Sequence, residues 1–126
     1  MKTKYSSSWK RSKQPRKQVK YRHNAPLHIK QKFVSSHLST DLRKKYKKRS
    51  VNLRKGDNVK VMRGQFKNKS GKIDEVNLKK TLVYIKGIEI VKRDGTKARY
   101  PIHPSNLIIT ELNLDDKMRN KVIGRN

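Results

Sequence analysis

The groups best placed to do chemistry are lysines and arginines interleaved with flat aromatic rings, and the chemistry they suit is binding. Lys2, Lys4, Lys10, Arg11, Lys13, Arg16, Lys17, Lys20 and Arg22 crowd residues 1–25, with Tyr5, Trp9 and Tyr21 among them. A second cluster, Arg43-Lys44-Lys45-Tyr46-Lys47-Lys48-Arg49, is the densest in the chain. Ammonium and guanidinium groups meet phosphates, and rings stack on unpaired bases, though Trp9 suits equally a role covering part of the folded domain. The whole chain holds 35 basic and 9 acidic residues in 126, a formal net charge of +26. Residues 1–50 carry 17 basic residues against a single acid, Asp41, and residues 51–126 carry 18 against 8. A folded domain does not tolerate such self-repulsion without a polyanionic partner, so nucleic acid is expected.

Other chemistry is poorly supplied. There is no cysteine, which excludes disulfides, thiolate nucleophiles and cysteine-held zinc. His23, His28, His37 and His103 are scattered, none paired at i+3 or i+4, so no metal or other cofactor is expected. No carboxylate pair, Ser/His/Asp grouping or nucleotide fingerprint suggests an enzyme or a small-molecule substrate. Asp74-Glu75 and Asp115-Asp116 are sequence neighbours, whose side chains should point apart and pair with nearby lysines. The longest apolar runs, Leu82–Ile85 and Leu107–Ile109, fall far short of the ~20 residues that span a membrane. The basic N-terminus has no apolar stretch of the signal-peptide kind, so it is read as part of a mature, cytoplasmic protein.

The elements that must position these cations follow from patterning. Residues 1–25 contain too few apolar groups to offset ordering entropy, which predicts a disordered arm in the free protein. Residues 26–50 read as a short helical segment with two helices. The first starts at Pro26 and carries Ile29/Phe33 and Val34/Leu38 at i, i+4. The second is capped by Ser39 or Thr40, has Asp41 in its first turn, and pairs Leu42 with Tyr46. From residue 51 the pattern alternates. Val59/Val61, Ile73/Val76, Leu82–Ile85, Ile88–Ile90, Ala98–Tyr100 and Leu107–Ile109 are short strands separated by turn signals, with Asp94-Gly95 marking a hairpin. Residues 51–112 therefore form a small barrel or sandwich, and residues 113–126 a tail in which Asp115–Val122 forms a frayed helix.

The most informative segment is Gly56–Val76, GDNVKVMRGQFKNKSGKIDEV. Val59 and Val61 face the core, Gly64 ends the strand, and a polar loop, Gln65–Ser70, carries Lys67 and Lys69. Gly71 should give a tight turn at positive φ, at which a β-branched side chain would be strained. The segment resembles a KOW motif on Val59, Val61, Gly64, Lys67, Gly71, Lys72, Ile73 and Val76. The motif often has a further glycine where this chain has Asn68, a residue that tolerates left-handed backbone.

The likeness runs further. SKQPRKQ (12–18), APLHIKQK (25–32), LSTDLRKKY (38–46) and HPSNLIITEL (103–112) resemble the archaeal and eukaryotic large-subunit ribosomal proteins of the KOW family, numbered twenty-four in the universal scheme. The long C-terminal extension of the eukaryotic form is missing, so the archaeal form is the nearer. The resemblance implies a mainly β fold, a small SH3-like barrel with a basic arm and two short helices. It implies binding of ribosomal RNA near the 5′ end of the large-subunit RNA early in assembly. The protein would lie on the solvent side near the peptide exit tunnel, beside other large-subunit proteins.

The candidate RNA contacts are Lys10, Arg11, Lys13, Arg16, Lys17, Lys20 and Arg22 in the arm, and Arg43, Lys44, Lys47, Lys48 and Arg49 in the helical cluster. Arg63, Lys67, Lys69 and Lys72 join them at the motif, whose turn Gly64 and Gly71 shape. A KOW domain that binds RNA polymerase is the competing expectation. A basic arm in place of a second globular domain argues against it, as the ordered motif argues against a membrane-active or DNA-compacting polycation.

Overall fold

Strand alternation from residue 51 onward is realised almost as written, in a computed structural model that describes residues 4–125. The elements in chain order are α1 (Pro15–Asn24), α2 (Leu27–Phe33), β1 (Ser35–Leu38), α3 (Thr40–Tyr46), β2 (Ser50–Asn52), β3 (Asn58–Val61) and β4 (Ser70–Asn77). They continue with β5 (Leu82–Ile85), β6 (Glu89–Val91), β7 (Lys97–Arg99), β8 (Leu107–Glu111) and α4 (Lys117–Gly124). Six strands form one sheet in the order β2-β1-β8-β3-β4-β5, while β6 and β7 form a separate hairpin through the predicted Asp94-Gly95 turn. The result is a mainly β, SH3-like small domain whose mixed sheet does not close into a barrel. The outer edge of β5 is covered instead by Ile102, which exchanges two backbone hydrogen bonds of 2.9 Å with Val83. An edge satisfied in this way does not recruit a foreign strand.

The core lies on one face of this sheet. Val34, Leu38, Val59, Val61, Ile73, Val83, Ile85, Leu107 and Ile109 are each buried, and Ile88, Ile102 and Phe66 close the cluster. Phe66 belongs to the motif loop expected to be polar. Its ring lies 4.8 Å from that of Tyr100, so the loop is plugged into the domain.

The helical segment is corrected in one respect. Its first helix stops at Phe33, and residues 35–38 are strand β1. Val34, Ser36 and Leu38 are buried while Ser35 and His37 are partly exposed, a period of two. A spacing of four satisfies both periods, which is why Val34/Leu38 mimicked a helical stripe. Ser39 caps α3 as expected, its hydroxyl accepting from Leu42 N–H.

Gly71 is also corrected. It sits inside β4 opposite Val59, not at positive φ. A Cβ there would come within 2.7 Å of both Ile85 Cγ2 and the Lys86 carbonyl oxygen. The residue is needed for a close approach of β4 to the end of β5. Gly64 is the reverse case: φ is +95° and nothing lies within 4 Å of where a Cβ would stand. Gly71→Ala is therefore expected to cost about 1–3 kcal/mol through overpacking. Thermal unfolding checks this; a midpoint equal to wild type would mean that β5 yields freely.

Candidate nucleic-acid interface

Helix α1 occupies residues 15–24, where the sequence predicts a disordered arm. Pro15 opens it, its fixed φ suiting the first turn. The Gln18 side-chain amide donates to the carbonyls of Lys10 (3.1 Å) and Ser12 (2.8 Å), folding the preceding chain back along the helix. Aromatic contact supplies the apolar area that charge repulsion argues against. The Tyr21 ring lies 5.2 Å from Tyr5, 6.0 Å from Trp9 and 6.1 Å from Phe33 of α2, so it bridges arm and domain. Lys2 lies outside the described residues.

The candidate cations fall on three elements. Lys10, Arg11, Lys13, Arg16, Lys17, Lys20 and Arg22 are all exposed on α1 and the stretch of chain before it. Arg43, Lys44, Lys47, Lys48 and Arg49 occupy the C-terminal half of α3 and the turn beyond. There Arg43 and Lys48 are half-buried: Arg43 Nε donates to Leu38 O at 3.1 Å, and Lys48 Nζ to Val122 O of α4. Lys47 caps α3 at φ 53°, a left-handed conformation, with its N–H bonded to Arg43 O. Arg63, Lys67, Lys69 and Lys72 are exposed around the motif loop. That loop is a compact turn: Lys67 N–H bonds Gly64 O, Lys69 N–H bonds Phe66 O, and Asn68 adopts the left-handed conformation at φ 70°. Lys69 Nζ stands 5.0 Å over the Phe66 ring.

Among the described residues none of these cations forms an ion pair; the pairs use only Arg54, Arg99 and Arg119. Arg54 pairs with Asp116, which also caps α4. The Met118 N–H and then the Arg54 guanidinium hold the Asp116 carboxyl below its ordinary value. Arg99 reaches both Asp74 (3.4 Å) and Glu75 (2.8 Å) and stacks 4.7 Å over Tyr84. A register shift between Ile73 and Glu75 lets the two neighbouring acids share one arginine, contrary to the expectation that they diverge towards lysines. The Glu75 hydrogen bond, then the nearby negative charge, raises the Arg99 pKa.

The buried exception is Asp57 with Arg119, a pair that the sequence did not reveal. Arg119 makes a two-pronged contact to Asp57 at 2.6 and 2.7 Å and also donates to Asn113 O and Asn52 O. The same carboxylate accepts from Arg54 N–H and Asn113 N–H. It docks α4 firmly, where a frayed helix was expected. Asp57, Val59 and Val61 share one face at period two, and all are buried. A carboxylate in register with two core valines was the signal for a buried cation.

His103 caps a 3-10 turn, Nδ1 accepting from Ser105 N–H, and is solvent-exposed. Among the described residues no cluster of His, Asp or Glu could hold a metal, and no helix is long and apolar enough to cross a membrane.

A small SH3-like sheet that carries a basic loop between Gly64 and Gly71 defines a KOW-type protein. The sequence pattern of a family described as eukaryotic L26 and archaeal L24 ribosomal proteins matches residues 12–126, and the chain belongs to that family. It is 51% identical over 114 residues to the large ribosomal subunit protein uL24 of Methanothrix thermoacetophila, covering 90% of this chain and 98% of the relative. It is 47% identical to the uL24 proteins of Methanosphaera stadtmanae, with 90% and 97% covered, and Methanoculleus marisnigri, with 90% and 93% covered. Membership makes the chain a structural ribosomal component, not an enzyme.

Proposed function

We propose that this protein is a structural constituent of the large ribosomal subunit that clamps ribosomal RNA near its 5′ end and helps to initiate subunit assembly. It would lie near the peptide exit tunnel among neighbouring large-subunit proteins, within cytoplasmic ribosomes. One observation carries the mode of action: among the described residues the basic groups of α1, of the α3 end and of the motif loop form no ion pair, whereas Asp57, Asp74, Glu75 and Asp116 pair with Arg54, Arg99 and Arg119. Unneutralised cations on three elements suit three phosphate contacts on separate RNA segments, so the domain would act as a bracket. Family membership supports a place in the ribosome, and the uL24 relatives a place in its large subunit.

Sedimentation of a cell lysate through a sucrose gradient, probed for this chain, tests the reading. Co-migration with the large subunit after a high-salt wash is expected. Recovery in light fractions or with RNA polymerase would overturn it. Binding to transcripts of the 5′ and 3′ thirds of the large-subunit RNA tests the finer position, with preference for the 5′ third expected.

A further inference from the structure

The aromatic contacts that hold α1 also frame an opening. Tyr5, Trp9 and Tyr21 line a cavity of about 280 Å³ together with Lys17, Lys20 and Asn24. That is close to the lower end of the roughly 300–1,000 Å³ typical of ligand sites. Lys17, Lys20, Tyr21 and Asn24 stand at i, i+3, i+4 and i+7 on α1, a single helix face. The rings are tilted, 31° between Tyr5 and Tyr21 and 50° between Trp9 and Tyr21, so they form a corner rather than a closed stack. Tyr5 and Tyr21 are locked by a 2.9 Å hydrogen bond between their hydroxyls, and Phe33 braces Tyr21 from α2. Trp9 remains 39% exposed. Among the described residues no carboxylate lines the cavity.

Resting on the reading of the chain as an RNA binder, the geometry points to this corner as a pocket for one unpaired nucleobase of RNA. The base stacks on Trp9 or Tyr21, its flanking phosphates meet Lys17 and Lys20, and Asn24 offers an amide to a base edge. Ring faces, an amide and two ammonium groups match the three parts of a nucleotide, whereas a paired duplex presents no free base face.

Trp9 is the sole tryptophan of the chain, so its emission reports on the pocket directly. The full-length protein is titrated at low salt with a single-stranded oligoadenylate of about 12 nucleotides, within the site sizes of single-strand binders. The same strand annealed to its oligouridylate complement is the comparison. Quenching of Trp9 by the single strand and not by the duplex is expected. Trp9→Leu should lower the single-strand affinity relative to the duplex affinity by roughly 5- to 150-fold, the worth of one stacked base. Trp9→Phe, which keeps a ring, should retain most of that preference. Equal binding of both RNAs with unmoved emission, or an unchanged affinity ratio in Trp9→Leu, overturns the pocket. Failure of the wild type to bind either RNA would instead strike the RNA-binding reading itself.

Discussion

Arg119→Met is expected to lower the unfolding free energy by about 3–5 kcal/mol, because it strands an ionised Asp57 in the interior. The residue is 4% exposed and its partner fully buried. Against a typical domain stability of about 5–15 kcal/mol, this reduction is a large fraction. Replacing a buried ion pair by two apolar side chains is often harmless, but here that route is closed. Asp57 also accepts from the backbone N–H groups of Arg54 and Asn113, and Arg119 satisfies the carbonyls of Asn113 and Asn52. An apolar pair would strip these part-buried backbone groups of their partners, each at up to about 1 kcal/mol. Urea unfolding monitored by circular dichroism reads the difference as a lower midpoint at unchanged slope. A variant within about 1 kcal/mol of wild type would show that water reaches Asp57 and that α4 is not docked through it.

Affinity for large-subunit RNA should fall roughly 10³- to 10⁵-fold between about 50 and 200 mM salt, the drop that accompanies about 6–10 phosphate contacts. The unpaired cations on α1, the α3 end and the motif loop exceed that number, so the range is attainable without using each of them. The slope can be divided among the elements. Replacing Lys10, Arg11 and Lys13 by glutamine should shallow the log–log slope by about 1 for each phosphate left unneutralised. A similar change on replacing Lys44, Lys47 and Arg49 would assign the α3 end to a separate stretch of RNA backbone. Arg54 and Arg99 serve as internal controls: already neutralised by acids, they should leave the slope unchanged even where they alter stability. A slope near zero, or one untouched by either triple substitution, would refute the bracket.

The β half of this molecule was open to reading because its strands are half-buried, and Val59/Val61, Val83/Ile85 and Leu107/Ile109 repeat at the strand period. What escaped was of two kinds. Some features depend on partners distant in sequence. Nothing local to Gly71 announces that Ile85 and Lys86 will close over it, and nothing in α4 announces that Arg119 will meet a residue 62 positions earlier. Others are degenerate in period, as in Val34/Leu38, or run against composition, as in α1. There one tyrosine placed to touch three other rings outweighs what the abundance of lysine suggests. The candidate cations were recognisable by type, but only the structure separates those left without acids from Arg54, Arg99 and Arg119, which are engaged.

The place of β8 in the sheet bears on the order in which the chain can be made. β8 lies between β1 and β3, parallel to the first and antiparallel to the second. Synthesis delivers β1 with β2, and β3 with β4 and β5, long before residues 107–111 exist. The growing polypeptide thus passes through a stage of two half-sheets, each with an open inner edge, and the strand that joins them arrives afterwards. Pairing at such separation is slow, and open edges invite the wrong neighbour. A pause in translation before Leu107 would prolong that stage, in a chain whose net charge of +26 already favours contact with polyanions.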